Sequence, residues 1–525
     1  MTTDPSRTVV ATPHSPGSNR RPVTLDDDPY TADPELTIQL LDFYFTHINE
    51  ATYSLFPRNH FLYWAKSRPK ASRQERLVLY AILAVGAIFA DDHGSEMGKQ
   101  YVQIATNAVD HGVGKPNMCT VQARFLLALY HLAIGDDDAA WDFVGRAVRE
   151  STSAQLRLNT EGDYEDDAES DDHHALDFGF TRRQQAECRR RTFWSIFMLD
   201  RFQDGLLCAI DPRDVFLRLP CSSEAYEHGL PSDTPFYNNG VVESAKTAPS
   251  LTLGTRGCPL AWLVLTAAIW GDVLVATNRT VYRGESDYRA AYEKVYSDTH
   301  AALQDWLSKL PDHLQYSEAN VDRSIQGGYA GVFISMHAAY HFILIRLNRY
   351  VRHAVMPDII ARNIRAAHIH ANSLLAMTST LQAPRRDSAS HTAVTPRPDL
   401  VLTTPFLGQA IVSAIDVVGA GGLDAALGST VDAIDGGIGC LRELACFWTG
   451  ARRQLKASEI RYYQIKNILA RPYKARSGAW LGREWGVKDR MEQKFRLDHD
   501  CIYADDGRGD GYTRIYFDAL QENGA

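Results

Sequence analysis

ECRRRTFWSIFMLDRFQDGLLCAIDPRDVFLRLP, residues 187–220, begins as an amphipathic helix. At 100° per residue, one helical face carries three apolar side chains and a carboxylate: Phe193, Ile196, Phe197 and Asp200. Because an isolated buried carboxylate is costly, Asp200 is expected to meet an arginine or several N–H donors. Glu187 and Arg191 stand at the favourable i,i+4 spacing. The pattern predicts a helix packed inside a core, followed after Gly205 by a loop.

The order of residues in this stretch is specific. The matching positions are Glu187, Arg190, Arg191, Phe193 or Trp194, Asp200, Arg201, Gly205, Ile210, Asp214, Leu219 and Pro220. They resemble the middle homology region of fungal transcription factors, the regulatory domain that follows a binuclear zinc cluster. Leu206 and Leu207 stand where that family has Arg-Pro. The resemblance is specific over residues 36–220 and continues as a rhythm of helices to about residue 470.

The preceding segment, AWDFVGRAVRESTSAQLRLN at residues 140–159, resembles the helix that comes before this motif in the family. Trp141, Gly145, Ala147 and Arg149 carry the likeness. Trp141, Val144, Gly145, Val148 and Thr152 are predicted to share the packed face, with Gly145 admitting a neighbouring backbone. Arg149 is the expected partner of Asp200, ahead of Arg189 and Arg190, because an arginine fork suits a carboxylate.

Helical periodicity along the chain predicts an all-α fold with α-solenoid-like packing of helix pairs. Residues 1–32, rich in Pro, Ser, Thr and Asp, are assigned to a disordered tail, 33–470 to the regulatory domain, and 471–525 to a C-terminal extension. Residues 161–174 are expected to be a mobile acidic loop, and 221–256 to be irregular. A helix over 431–463 is expected to break near Gly436-Gly437, and another helix is expected over 484–495.

The cysteines exclude two kinds of DNA-binding module within these residues. The chain has 525 residues, a net charge of −9 and eight cysteines, the first of them Cys119. No pair has Cys-x-x-Cys spacing, so neither a binuclear zinc cluster nor a two-Cys, two-His finger is encoded. Zinc is therefore implied only for family members that carry the N-terminal module. A truncated gene model and a natural regulator without the module both remain open.

No catalytic, cofactor-binding, metal-binding or DNA-binding residue is predicted. His337 and His341 are i,i+4, but HAAYH lacks the glutamate of a metalloprotease helix. His173-His174 and the acidic run 498–511 suit solvated loops better than metal sites. Asp136, Asp137 and Asp138 precede a helix and are interpreted as a cap. Arg189, Arg190 and Arg191 are interpreted as structural ion-pairing residues in preference to a phosphate site.

The resemblance implies a nuclear regulator of RNA polymerase II transcription. The candidate partners it implies are a second chain in a homo- or heterodimer, the transcription machinery and a small-molecule effector, with DNA reached only through a partner or the missing module. No membrane partner is expected, since Asp272 interrupts the apolar run 262–275. The alternative is a small-molecule-binding or enzymatic helical protein unrelated to transcription.

Overall fold

The fold is described from a computed structural model. It describes residues 24–67, 71–111, 116–161, 177–202, 208–231, 234–238, 241–243, 258–281, 284–349, 351, 356–382, 385–386, 394–395, 402–420 and 427–469. The expected helix at 484–495, the C-terminal extension 471–525, the residues Gly205, Leu206 and Leu207, and the pair His173-His174 lie outside these ranges.

Helices make up most of the described chain, and the all-α prediction is confirmed. They are α1 Pro29–Ala32, α2 Pro34–Tyr44, α3 Arg58–Ser67, α4 Arg73–Gly86, α5 Asp92–His111, α6 Met118–Ile134, α7 Asp137–Ser151, α8 Arg182–Phe202, α9 Ser223–His228, α10 Pro259–Val281, α11 Glu285–Lys309, α12 Glu318–Gln326, α13 Ala330–Arg349, α14 Ile360–Gln382, α15 Pro405–Ala420, α16 Leu427–Phe447 and α17 Thr449–Leu469. A π-helical turn, Phe45–Asn49, extends α2, and 3₁₀ turns lie at Ala87–Phe89, Asp177–Gly179, Pro212–Asp214, Asp312–Leu314 and Pro357–Ile359.

Helix starts follow the capping signals in the sequence. At α4, the Ser72 hydroxyl accepts the Glu75 N–H at 3.1 Å, and the Glu75 carboxylate accepts the Ser72 N–H at 2.7 Å. From residue 77 to 86 every side chain of α4 is buried, as its apolar sequence predicts. At α7, the Asp136 carboxylate accepts the Ala139 N–H at 3.2 Å, so this aspartate caps the helix.

A small antiparallel sheet corrects the expectation that 221–256 is irregular. Strands β1 Phe216–Arg218, β2 Phe236–Asn238 and β3 Val241–Glu243 pair in that order, and α9 lies between β1 and β2. Two-residue strands β4 Arg385–Arg386 and β5 Val394–Thr395 form a second pair. Strands of two or three residues are too short to show an alternating pattern in the sequence.

The folded domain begins earlier than predicted. Leu25 is buried, α1 lies within the segment assigned to the tail, and the Arg76 guanidinium donates to the Leu25 carbonyl at 2.9 Å. The Tyr80 hydroxyl donates to the Thr24 and Asp27 carbonyls at 3.2 and 3.0 Å. The polar composition of this segment gave no sign of the packing, because its backbone carbonyls, and not its side chains, accept these hydrogen bonds.

The expected break at Gly436-Gly437 is wrong; the helix continues to Phe447, and the break falls at Trp448. A Cβ on Gly436 would lie 2.9 Å from the Cα of Ser379, and one on Gly437 would lie 3.1 Å from Leu375. The two glycines therefore let α16 pack closely against α14. Tertiary packing overrides the low helix propensity of glycine here.

Neighbouring helices pack in pairs, and the two ends of the described domain also meet. The tightest pairs are α6 with α7, α13 with α14, and α16 with α17. The Thr52 and Thr404 hydroxyls are 2.6 Å apart, and the rings of Phe89 and Phe447 are 4.8 Å apart between centroids. One hydrophobic core runs through both halves.

Two described helices, Pro259–Arg279 and Ala330–Arg349, are long and apolar enough to cross a membrane by composition alone. They are 67% and 83% buried within the fold. Core helices of this length pass the same compositional test, so the feature is weak evidence for a membrane span.

Candidate functional site

A cluster of mostly buried charges surrounds the first half of α8 and is here called the Glu187 cluster. Glu187, Arg190 and Arg191 lie on α8, whereas Glu161 and Arg218 come from neighbouring segments. The Glu187 carboxylate accepts from Arg191 Nε at 2.7 Å, from Arg190 Nη1 at 3.3 Å and from the Cys221 N–H at 3.0 Å. Both i,i+3 and i,i+4 pairs on α8 therefore converge on one carboxylate.

Arg191 joins α8 to two distant segments. Its guanidinium donates to the Ser54 hydroxyl at 2.5 Å and to the Cys221 carbonyl at 2.7 Å, and lies 4.6 Å from the Tyr226 ring centroid. Burial opposes the charge of Arg191, but the Glu187 carboxylate outweighs that penalty and raises the arginine pKa. The cation therefore stays charged and holds the segment before α3 to the turn before α9.

Arg190 makes the second half of the cluster with Glu161. Its Nε donates to both Glu161 carboxylate oxygens at 3.0 and 2.9 Å, and Nη2 also contacts this carboxylate. Arg218 Nε is 3.7 Å from the same carboxylate. Glu161 thus corrects the mobile-loop interpretation at its first residue, since its side chain is 6% exposed. Glu161, Glu187 and the two arginines of α8 each have several internal partners, which suits a structural anchor better than a reactive centre.

The second half of α8 holds the loop that follows it. Asp200 accepts the Ala209 N–H at 3.0 Å and the Ile210 N–H at 3.1 Å, while Arg201 donates to the Ile210 carbonyl at 2.8 Å. Burial raises the pKa of the Asp200 carboxyl, and Arg201 and the two N–H donors oppose that rise. Asp200 therefore meets both kinds of partner that were expected: the N–H donors of the loop, and an arginine, which is its neighbour Arg201 at 3.4 Å and not Arg149.

Three expectations for α7 are wrong. Arg149 is exposed and does not contact Asp200, Trp141 is 58% exposed, and no atom lies within 4 Å of a Cβ placed on Gly145. The buried face consists of Ala140, Phe143, Val144, Ala147, Val148 and Ser151. Val144 and Val148 lie on both the predicted and the observed buried face of α7. The apolar pattern was therefore compatible with two adjacent faces of the helix, and the fold buries the face that contains Phe143.

Three of the remaining motif residues are buried, and one is exposed. Phe193 and Trp194 are fully buried, and Trp194 Nε1 donates to the Arg218 carbonyl at 2.8 Å. Pro220 is buried, whereas the Asp214 side chain is exposed and its carbonyl accepts from Asn159 at 2.7 Å. Sequence reasoning missed Ser54, Glu161, Cys221 and Tyr226 as partners, because nothing local to them signals a contact with α8.

Replacing Asp200 with Asn is expected to destabilise the fold by about 1–3 kcal/mol, since a neutral amide accepts the loop N–H groups less strongly. Arg149→Met is expected to change the stability by less than about 0.5 kcal/mol. Because the two side chains do not touch, the losses should add in a double variant measured by urea unfolding. A coupling energy clearly different from zero would contradict this prediction, because it would mean that Arg149 and Asp200 interact.

The histidines considered for metal binding have other partners. His337 Nε2 lies 2.9 Å from the Leu314 carbonyl, and His341 Nδ1 lies 3.2 Å from His370 Nδ1. Within the part of the chain that the structure describes, no three His, Cys, Asp or Glu side chains are arranged to hold a metal ion. The cysteines described there are free thiols.

The neutral histidines predict sensitivity to acid. Burial lowers the pKa of His337 to about 4, of His341 to about 3 and of His370 to about 4. In the unfolded chain they titrate near pH ~6.5, so stability is present above that pH and is lost as pH falls towards about 4. In this pH range the unfolded chain binds three more protons at these histidines than the folded chain does. The free energy of unfolding therefore falls by about 4 kcal/mol for each pH unit of acidification.

Urea unfolding between pH 7 and pH 5 tests this prediction. His337→Gln should flatten the pH dependence by about one proton, or ~1.4 kcal/mol per pH unit. His228→Gln, at an exposed position, is the matched histidine control. Equal slopes for the wild type and His337→Gln would contradict the assignment.

A cleft of about 650 Å³ opens beside Arg191, between the motif-bearing half of the fold and α10, α12 and α13. Its charged walls are largely paired within the protein: Arg58 contacts Glu50 at 2.6 Å, and Glu227 accepts the His60 N–H at 2.6 Å. Its lining residues come from six separate segments, so the sequence carried no signal for it.

Comparison with known families shows what the part of the chain around α8 is similar to. Residues 41–237 match the fungal specific transcription factor domain. This part of the chain is similar to that domain. Helix α8, the Glu187 cluster and the loop held by Asp200 all lie inside the matched residues.

The similar curated proteins are fungal transcriptional regulators. A transcriptional regulatory protein of Schizosaccharomyces pombe is 24% identical over 63% of this chain and 34% of its own length. Nitrogen assimilation transcription factor nit-4 of Neurospora crassa is 24% identical over 62% and 29%. Activatory protein CHA4 of Saccharomyces cerevisiae is 22% identical over 60% and 47%. The first two alignments thus span about a third of each relative, and no solved structure matches.

Proposed function

We propose that this protein regulates RNA polymerase II transcription in the nucleus, acting through its helical transcription factor domain. The match over residues 41–237 carries the proposal, and the regulatory relatives support it. The Glu187 cluster is consistent with it, because its charges are satisfied by one another and leave no free nucleophile or acid for catalysis. We accordingly propose a non-enzymatic role.

Contact with DNA is proposed to come from a partner chain or from residues outside these 525. The chain has a net charge of −9, and phosphate binding draws on clustered positive charge. A helical domain can contribute to regulation by pairing with a second copy or a related regulator, or by contacting the transcription machinery. Any zinc used in DNA recognition would then belong to the DNA-reading module.

A tethering experiment tests regulation without requiring the natural DNA site. The full chain is fused to a heterologous DNA-binding domain and expressed in a fungal cell that carries a reporter with the corresponding operator. The fusion is expected to raise or lower reporter transcription at least about threefold relative to the DNA-binding domain alone, a difference of roughly 0.65 kcal/mol in an equilibrium.

The matched control is the unfused chain, which should leave the reporter unchanged. A fusion carrying Glu187→Gln should have a weaker effect on the reporter, because this substitution destabilises the domain. A well-expressed, folded, nuclear fusion that leaves the reporter at the control level would contradict the proposal.

A further inference from the structure

Two histidines face each other where α13 packs against α14. His341 Nδ1 of α13 lies 3.2 Å from His370 Nδ1 of α14, and the two rings are tilted by 44° with their centroids 5.4 Å apart. These helices form one of the tightest pairs of the fold, so the backbone holds the two rings in register. Both side chains are partly exposed, which leaves the pair open to a small ion.

The two facing nitrogens share a single hydrogen bond. Burial lowers the pKa of His341 to about 3 and of His370 to about 4, so both rings are neutral at pH 7. A neutral imidazole carries a proton on one nitrogen and a lone pair on the other, so one Nδ1 donates and the other accepts. Among the described residues, neither ring has a further hydrogen-bond partner. The pair can therefore exchange this one hydrogen bond for another ligand.

The distance between the two nitrogens is the distance that a shared metal ion requires. Zn²⁺ binds imidazole nitrogen at about 2.0–2.1 Å with tetrahedral geometry, so two nitrogens on one ion lie about 3.3 Å apart. The observed 3.2 Å agrees with this spacing. On binding, the ring that carries its proton on Nδ1 moves it to Nε2, and both Nδ1 lone pairs then point to the ion without any change in the charge of the rings.

A third histidine, His300 of α11, borders this pair. Its ring helps burial to lower the pKa of His370, and its own Nε2 is buried without a hydrogen-bond partner among the described residues. Arg362 is a nearby cation, and it lies 3.8 Å from the Glu293 carboxylate, which offsets its repulsion of a metal ion. The described side chains do not form a three-ligand metal cluster, so His300 is a polar neighbour of the pair and not a ligand.

We propose that His341 and His370 bind one divalent transition-metal ion of the zinc class, with water completing its coordination. Imidazole nitrogen suits Zn²⁺, whereas Mg²⁺ and Ca²⁺ take oxygen ligands. Two protein ligands are fewer than the four of a structural zinc site, so the ion is exchangeable. The site joins α13 to α14, outside residues 41–237, and is separate from any zinc used in DNA recognition. The proposal goes beyond transcriptional regulation.

Isothermal titration of the untagged full chain with Zn²⁺ at pH 7.5 tests the proposal. Mg²⁺ at ~1 mM is present throughout to occupy oxygen-ligand sites. The wild type is expected to bind zinc with a Kd below about 100 µM, which is tenfold tighter than 1 mM. His341→Gln and His370→Gln should each weaken this binding at least about tenfold, because each removes one imidazole ligand. Circular dichroism checks that both variants fold.

His228→Gln is the matched control, because His228 is an exposed histidine of α9, far along the chain from α13 and α14. It should bind zinc like the wild type. Absence of zinc binding up to ~1 mM would overturn the proposal, and so would equal zinc affinity in the wild type and in both seam variants.

Hydrogen exchange of the wild type gives an answer that does not depend on the folding of a variant. Zinc is expected to slow amide exchange in the segments of α13 and α14 around His341 and His370, because the ion ties the two helices together. Exchange in α9 should stay the same. Zinc-dependent protection that is absent from both segments would contradict the assignment.

Discussion

Glu187→Gln is expected to destabilise the domain by about 3–5 kcal/mol, because it leaves a buried guanidinium without its carboxylate. The substitution keeps the shape of the side chain and removes its charge. Arg191 is fully buried, and Glu187 is its carboxylate partner at 2.7 Å. The Cys221 N–H would also lose a charged acceptor, so the turn before α9 should loosen together with α8.

Urea unfolding monitored by circular dichroism measures this effect. Glu224→Gln is the matched control, since Glu224 is an exposed carboxylate near the same turn, and its loss should stay within about 0.5 kcal/mol. Arg191→Met combined with Glu187→Gln should cost less than the sum of the single changes, because the two residues interact directly. A stability for Glu187→Gln equal to that of the control would show that the cluster does not anchor the fold.

Phe193→Ala is expected to cost about 3–5 kcal/mol, because a buried phenylalanine leaves a cavity that rigid helices cannot close. Phe193 is 0% exposed, and its ring lies 5.5 Å from the ring of Trp194 and 6.3 Å from that of Phe197, between centroids. Loss of this ring removes packing at the centre of α8. The midpoint of urea unfolding should fall while the slope of the transition stays constant.

Trp141→Ala serves as the matched aromatic control. Although Trp141 matches the family pattern as well as Phe193 does, it is largely exposed on α7, and its loss should change stability by less than about 0.5 kcal/mol. A larger loss for Trp141→Ala than for Phe193→Ala would mean that the faces of α7 and α8 have been assigned in reverse.

Local signals in the sequence were sufficient for the long helices. Ser72 and Glu75 cap α4, the apolar run behind them is buried all round, and the Glu187–Arg191 spacing places the two charges in contact. These features depend on residues within one or two helical turns of each other. Helix periodicity and capping are therefore enough to predict the class of fold.

Contacts between distant segments could not be predicted in the same way. Ser54 and Glu161 reach Arg191 and Arg190 from sequence separations of 137 and 29 residues. Asp200 satisfied its carboxylate with loop N–H groups, which every residue except proline carries, so no residue type marked the partner. Asp272 was recognised only as an interruption of an apolar run, because its surroundings depend on how α10 packs.

The central claim is that the natural chain controls transcription, and rapid depletion of the chain tests it most directly. A degron-tagged full chain is removed within minutes from the organism that encodes it, and nascent RNA is sequenced before secondary changes accumulate. The claim predicts an immediate change in the synthesis of a defined set of RNA polymerase II transcripts, restored by a degron-resistant copy. Unchanged nascent transcription after complete depletion, under conditions in which the chain is normally present, would contradict it.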